Sequence, residues 1–329
     1  MSNDLPGRAH GARSAPVGGT TMSTQMHPDR PTPDESMASD VLTYGAVHLD
    51  VTDEVRALAF WSGIVGLEPL AHSGEGVSLG AGTRALVVLH PGATRGQQPG
   101  RSGLYHLALH VPDEAAFAHV LLRLAAARHP QAPTDHITHW ATYLNDPDGI
   151  GLEVSFETFD RVSRYEAGPD WPRIIDSDGR ERGAVEHLDV ESVLAHADGR
   201  DASLPMPIGT RVGHLHLHVA DLDDAQGFYA DVLGLTRNVA APRIGFADLS
   251  AGGTFPHRLA VNTWQRPGTP PSPGTAGMRH YVTEWPSLNA LHAAIARLEA
   301  GGHVVGHEPD GVMVRDPAGN RLLLTAART

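Results

Sequence analysis

The chain has 329 residues, 41% of them hydrophobic, and a formal net charge of −13. That length suggests two domains with room for a substantial core, and that charge argues against a phosphate-binding surface, so neither nucleic acid nor an anionic membrane is expected as a partner. With no cysteine and 21 histidines, disulfides, thiolate metal sites and thiol nucleophiles are excluded, and any transition metal must be held by imidazole and carboxylate.

Residues 1–39 are rich in Gly, Pro, Ser and Thr and lack the apolar stretch of a secretory signal. They predict a disordered tail, with His10 and His27 solvated. No apolar run reaches the length of a membrane span, and a cytoplasmic protein is expected.

From residue 41 the pattern becomes periodic. Ala46-Val47-His48-Leu49-Asp50-Val51 alternates as a strand, and Phe60 to Leu67 follows as a helix end with Gly66 as terminator. Gly103-Leu104-Tyr105-His106-Leu107-Ala108-Leu109-His110-Val111 opens a second unit. It continues into an amphipathic helix over 115–127 and the tight turn and strand Asp146-Pro147-Asp148-Gly149-Ile150-Gly151-Leu152-Glu153. Residues 161–207 form an irregular connector with one short helical stretch, Val190 to Ala197.

Both patterns then return. His214-Leu215-His216-Leu217-His218-Val219 precedes Phe228 to Leu235, and the 12-residue step from His48 to Phe60 recurs from His216 to Phe228. Asp221 or Asp223 caps the helix of this third unit, and Gly234 ends it. Gly277 to Trp285, a helix over 287–300, and Asp316-Pro317-Ala318-Gly319-Asn320-Arg321-Leu322-Leu323 repeat the second unit. The repeat predicts an α+β chain of four β-α-β-β-β modules, paired as an N-terminal domain over 40–160 and a C-terminal domain over 208–329.

This arrangement resembles the vicinal-oxygen-chelate superfamily, which includes glyoxalase I, fosfomycin-resistance proteins and type I extradiol dioxygenases. More narrowly, it is similar to bacterial catechol-2,3-dioxygenase-like proteins of the two-domain type. The resemblance is carried by Gly103-Leu104-Tyr105-His106, Asp135-His136, Tyr143-Leu144-x-Asp146-Pro147-Asp148-Gly149, Gly213-His214-Leu215-His216-Leu217 and Val261-Asn262-Thr263-Trp264. It implies two tandem domains of curved, barrel-like mixed sheets with helices outside, and self-association into a homo-oligomer.

The superfamily takes metal ligands from the first strand of one module, the first strand of its partner and the last strand of that partner. By resemblance, His106 fills the second place and Glu153 the third. For the first place, module one has Ala46, with His48 two residues on and on the same strand face. Module three has His214 there. Module four has His280 but carries Leu323 where the carboxylate would stand. Pairing modules two and three completes a triad of His106, Glu153 and His214, which is the favoured reading; conventional pairing would substitute His48. Taken alone, His48, His216 and His218 read more simply as hydrogen-bonded core histidines.

Two histidines and one carboxylate suit ferrous iron that must bind a diol and dioxygen together, with Mn(II) or another divalent metal as the alternative. The order His136, Tyr143, Glu153 resembles that around an extradiol site. It assigns His136 as acid/base, with His139 able to substitute, and Tyr143 as a hydrogen-bond donor to substrate or oxygen. His257 is placed near the cavity without a role. The expected function is non-haem Fe(II) extradiol cleavage of a catechol-like diol by O2. The rivals are a metal-dependent glyoxalase- or isomerase-type enzyme, disfavoured because Ala85 to Leu89 offers no further carboxylate, and a non-catalytic small-molecule binder. No phosphate-binding Gly-rich loop with Lys, Gly-x-Ser-x-Gly elbow or His-Glu-x-x-His helix competes.

Overall fold

The computed structural model describes residues 25–26, 41–74, 76–166, 168, 171–197, 199, 201–266 and 268–327. The tail expected to be disordered, including His10 and His27, lies outside the described residues apart from β1, Gln25–Met26, which pairs with an edge strand of module three.

Module one comprises β2 (Thr43–Val51), α1 (Glu54–Leu58), β3 (Glu68–Ser73), β4 (Gly76–Ala81) and β5 (Arg84–Pro91). Module two comprises β6 (Gly103–His110), α2 (Glu114–Ala126), β7 (Ala132–Asp135), β8 (His139–Asn145) and β9 (Gly151–Glu157). In the connector, β10 (Val162–Glu166), β11 (Arg173–Asp176) and β12 (Glu181–Arg182) form a small sheet of their own, followed by β13 (Glu186–His187) and α3 (Val190–Leu194). Module three comprises β14 (Arg211–His218), α4 (Leu222–Gln226), β15 (Thr236–Ala241), β16 (Phe246–Ser250) and β17 (Leu259–Asn262). Module four comprises β18 (Gly277–Trp285), α5 (Leu288–Ala300), β19 (Gly306–Glu308), β20 (Gly311–Arg315) and β21 (Arg321–Ala326).

The helices follow their caps. Asp113 accepts from Ala116 N at the start of α2, and Ser287 from Ala290 N at the start of α5. Phe117, Val120, Leu121 and Leu124 face inward at helical spacing. Modules one and three depart from the simple helix expected. Each short helix runs into a π-helical turn, Ala59–Ile64 or Gly227–Val232, which buries the adjacent pairs Phe60-Trp61 and Phe228-Tyr229. Gly66 (φ 93) and Gly234 (φ 89) then stop both in the left-handed conformation. Tyr229 donates its hydroxyl to Asp316 at 2.9 Å, tying the module-three helix to the Asp-Pro turn of module four.

The sheets do not follow the order of the chain. β6 pairs antiparallel with β14, so modules two and three share a mixed sheet in the order β1-β15-β16-β17-β14-β6-β9-β8-β7-β13. β2 pairs antiparallel with β18, so modules one and four share the other, in the order β19-β20-β21-β18-β2-β5-β4-β3. Both are mixed open sheets rather than closed barrels. Leu107, Leu109, Leu215 and Leu217 are fully buried in one apolar core that spans both sheets. His106, Ala108, His110, His214, His216 and His218 occupy the alternate positions and take the opposite face. A one-residue slip would exchange leucines for histidines, each buried leucine being worth about 1.5–3 kcal/mol, so the register is firmly set.

The connector is more ordered than an irregular link with one helix. Val162 and Ile174 cluster with Ile137 of module two, and β13 extends the edge of the ten-stranded sheet beside β7. Among the described residues, no helix is long and apolar enough to cross a membrane.

Candidate metal centre

The β6–β14 and β6–β9 ladders place Ala108 between His214 on one side and Glu153 on the other, with His106 one pleat away. Across that methyl group the side chains converge. Ligand atoms of His106, Glu153 and His214 lie within 4.8 Å of one another, and among the described residues this is the one such group. His106 Nε2 is 3.1 Å and His214 Nε2 3.4 Å from Glu153 Oε2, and the two nitrogens are 3.3 Å apart. His214 and Glu153 are fully buried.

Hydrogen bonding decides which atoms carry protons. Burial opposes ionisation of Glu157, but His110, Arg211 and Arg258 hold its carboxyl down at about 2. It therefore accepts from His110 Nδ1–H at 2.7 Å. Burial lowers His110 to about 4, so the ring is neutral and its Nε2 accepts from His214 Nδ1–H at 2.8 Å. His214 is also driven well below its usual value by burial, which leaves a bare lone pair on Nε2. His106 is lowered to about 4, again chiefly by burial.

Glu153 completes the pattern. Burial works against its charge, yet His214, His139 and His106 hold it well below the carboxylate range. Oε1 accepts from Ser155 Oγ and lies 3.2 Å from His139 Nε2. Oε2 is buried with no hydrogen-bond donor. The His214 Nε2 lone pair and an anionic oxygen turned toward one point repel unless a cation lies between them, and with a neutral His106 beside them these are the protonation states a divalent metal requires. The donor set therefore fits a metal.

A cavity of about 490 Å³ opens on this cluster and is lined by His106, His136, His139, Tyr143, Glu153 and His257, among others. His136 Nδ1–H donates to the Ala184 carbonyl at 2.7 Å, so Nε2 accepts from the Tyr143 hydroxyl at 2.8 Å. Burial, with His139 next, lowers His136 to about 4; burial and then Glu153 raise Tyr143 well above its usual value. His257 donates Nδ1–H to Asp248 at 2.7 Å, which orients its ring at the cavity. His216 and His218 flank Asn262, at 2.8 and 2.7 Å.

The other sheet holds the counterpart positions. His48 sits opposite His280, stacked at 4.0 Å, with His90 at 2.8 Å from its Nδ1. Leu323 lies on β21 beside β18, where β9 carries Glu153 beside β6. His48 is thus on a different sheet from His106 and Glu153.

A model of the Glyoxalase/Bleomycin resistance protein/Dioxygenase superfamily matches residues 45–154 and 211–324. The chain belongs to that superfamily. It is 31% identical over 281 residues to a catechol-2,3-dioxygenase of Bacillus subtilis (strain 168), covering 83% of this chain and 93% of that one. Among solved structures, it resembles a dioxygenase candidate from Bacillus subtilis subsp. subtilis str. 168 with a TM-score of 0.58 at 14% identity, covering 89% of this chain and 87% of the other. It also resembles a glyoxalase I mutant from Zea mays with a TM-score of 0.52 at 14% identity, covering 87% and 94%. At those identities the structures bear on the fold alone.

For this superfamily member, sequence reasoning passed over His110, Ser155, Glu157 and Asp248. A signal for the first three exists. On an alternating strand, His110 shares a face with His106, and Ser155 and Glu157 share one with Glu153. Asp248 has no such mark, because its meeting with His257 depends on how β16 and the loop before β17 fold together.

Proposed function

We propose that the chain is an extradiol dioxygenase that cleaves the ring of a catechol-like diol with O2, using Fe(II) held by His106, His214 and Glu153. The observation that carries this reading is the donorless Glu153 Oε2 facing two imidazole nitrogens at the floor of a cavity. When bound, ferrous iron supplies Lewis acidity to both diol oxygens and an electron path to dioxygen. A two-histidine, one-carboxylate set leaves positions open for both reactants.

The protein's part is positioning and proton handling. His110 and Glu157 hold His214 in one tautomer and orientation. His136 and Tyr143 form one hydrogen-bonded unit, in which His136 serves as acid/base and Tyr143 presents its hydroxyl to the bound diol or to oxygen. His257, oriented by Asp248, is a further imidazole in the same cavity. The test is anaerobic purification, iron analysis and oxygen-electrode assay with catechols, beside His106→Ala and Glu153→Ala. Stoichiometric iron and catechol-dependent oxygen uptake, both lost in the variants, are expected. A bound metal without oxygen uptake on any diol would favour an isomerase, and failure to bind metal after reconstitution would leave a binding protein.

A further inference from the structure

The cavity has two chemically different walls. Beside the ligand cluster, the lining includes an apolar set: Trp171, Ile174 and Val185 from the connector and Val239, Ile244 and Phe246 from module three. Val239 and Phe246 are almost fully buried and pack with Trp171, whose ring lies 4.9 Å from that of Phe246. No arginine is among the lining residues, and the chain contains no lysine. Arginines nearby are engaged elsewhere: Arg161 on Asp135, Arg182 on Glu186, Arg211 on Glu157. The carboxylates at the cavity are Glu153 and Asp248. Its volume, about 490 Å³, falls in the ~300–1,000 Å³ range of pockets that enclose drug-sized ligands and is far more than one hydroxylated ring fills.

We infer that the substrate is a catechol-type diol bearing a neutral apolar substituent, alkyl or aryl, seated against this wall, and that diols carrying a carboxylate are rejected. The inference rests on reading the metal centre as a diol site. An apolar group placed there leaves water for a preformed aromatic and aliphatic surface. A carboxylate placed there loses hydration and finds neither arginine nor lysine among the lining residues to replace it.

The test is calorimetric binding to the metal-loaded full-length chain without oxygen, using catechol, 4-tert-butylcatechol and 3,4-dihydroxybenzoate. The tert-butyl compound is expected to bind roughly 10- to 100-fold more tightly than catechol, and the carboxylate at least about 10-fold more weakly. Ile244 lines the cavity and is 43% exposed, and Ile244→Arg is expected to remove most of the carboxylate penalty. If the carboxylated diol binds as tightly as the alkylated one, or the alkyl group brings no gain over catechol, the inference falls, while oxygen uptake with catechol would leave the reaction intact. If the alkyl preference holds in binding but no oxygen is consumed, the dioxygenase reading fails and the apolar specificity stands.

Discussion

The chemistry of the centre turns on which nitrogen of His214 carries a proton. The Glu157–His110–His214 relay places it on Nδ1 and frees Nε2. His110→Phe breaks that relay while keeping an aromatic ring in the space, and metal affinity should fall about 10- to 100-fold in competition with a chelator. An unchanged affinity would remove His110 from any positioning role. Gly213 makes the relay sterically feasible, because a Cβ there would stand 2.0 Å from His110 Cγ. Gly213→Ala should therefore cost about 1–3 kcal/mol in urea unfolding and reproduce the affinity loss of His110→Phe. A variant with wild-type stability and wild-type affinity would show that the ring gives way freely.

At the scale of elements, the turn between β7 and β8 carries His136 and presents His139. It is held by Asp135, which accepts from Ile137 N at 2.7 Å and from both Arg161 guanidinium nitrogens. Ile137 has φ 65, a conformation that costs a β-branched residue about 1–2 kcal/mol. Its side chain is fully buried against the connector, and truncating such a group costs about 2–5 kcal/mol, so packing outweighs strain. Ile137→Gly should lose about 1–3 kcal/mol net and slow turnover by loosening His136. A more stable Ile137→Gly protein would mean that strain, not packing, dominates the turn.

For the whole molecule, the consequence is acid sensitivity. Burial lowers His48 to about 3 and His106, His110, His136 and His280 to about 4 in the folded chain, against 6.5 when exposed. Between pH 4 and 6.5 the unfolded chain binds more protons, so stability is fully present above about 6.5 and is lost as pH falls toward 4. Asp146, raised to about 6 by burial, and Asp316, also raised by burial, act in the opposite sense, but two carboxyls stand against these five imidazoles. The metal-free chain should show a melting temperature that drops from pH 7 to pH 5, and a flat profile across that window would contradict the buried neutral histidines. His48→Gln should shallow the drop without touching the metal centre, because His48 lies on the other sheet.

The sequence alone determined the local and repeated features. Alternation at period two marked the strands, and caps and turn residues marked their ends. The recurrence of two patterns revealed four modules, and resemblance singled out His106 and Glu153, with His214 favoured over His48 for the remaining place. These are short-range properties, written in neighbouring residues. Tertiary structure decided which modules share a sheet, because antiparallel pairing of β6 with β14 joins segments about a hundred residues apart. It thereby brought His214 to His106 and Glu153, sent His48 to a different sheet, set the tautomers through His110 and Glu157, and built the apolar wall from a connector that had read as irregular. Those outcomes depend on long-range packing of leucine faces and on burial of charged and polar groups, so the sequence favours His214 over His48 and sets His110 and Glu157 on the ligand-bearing strand faces, but only the fold joins them.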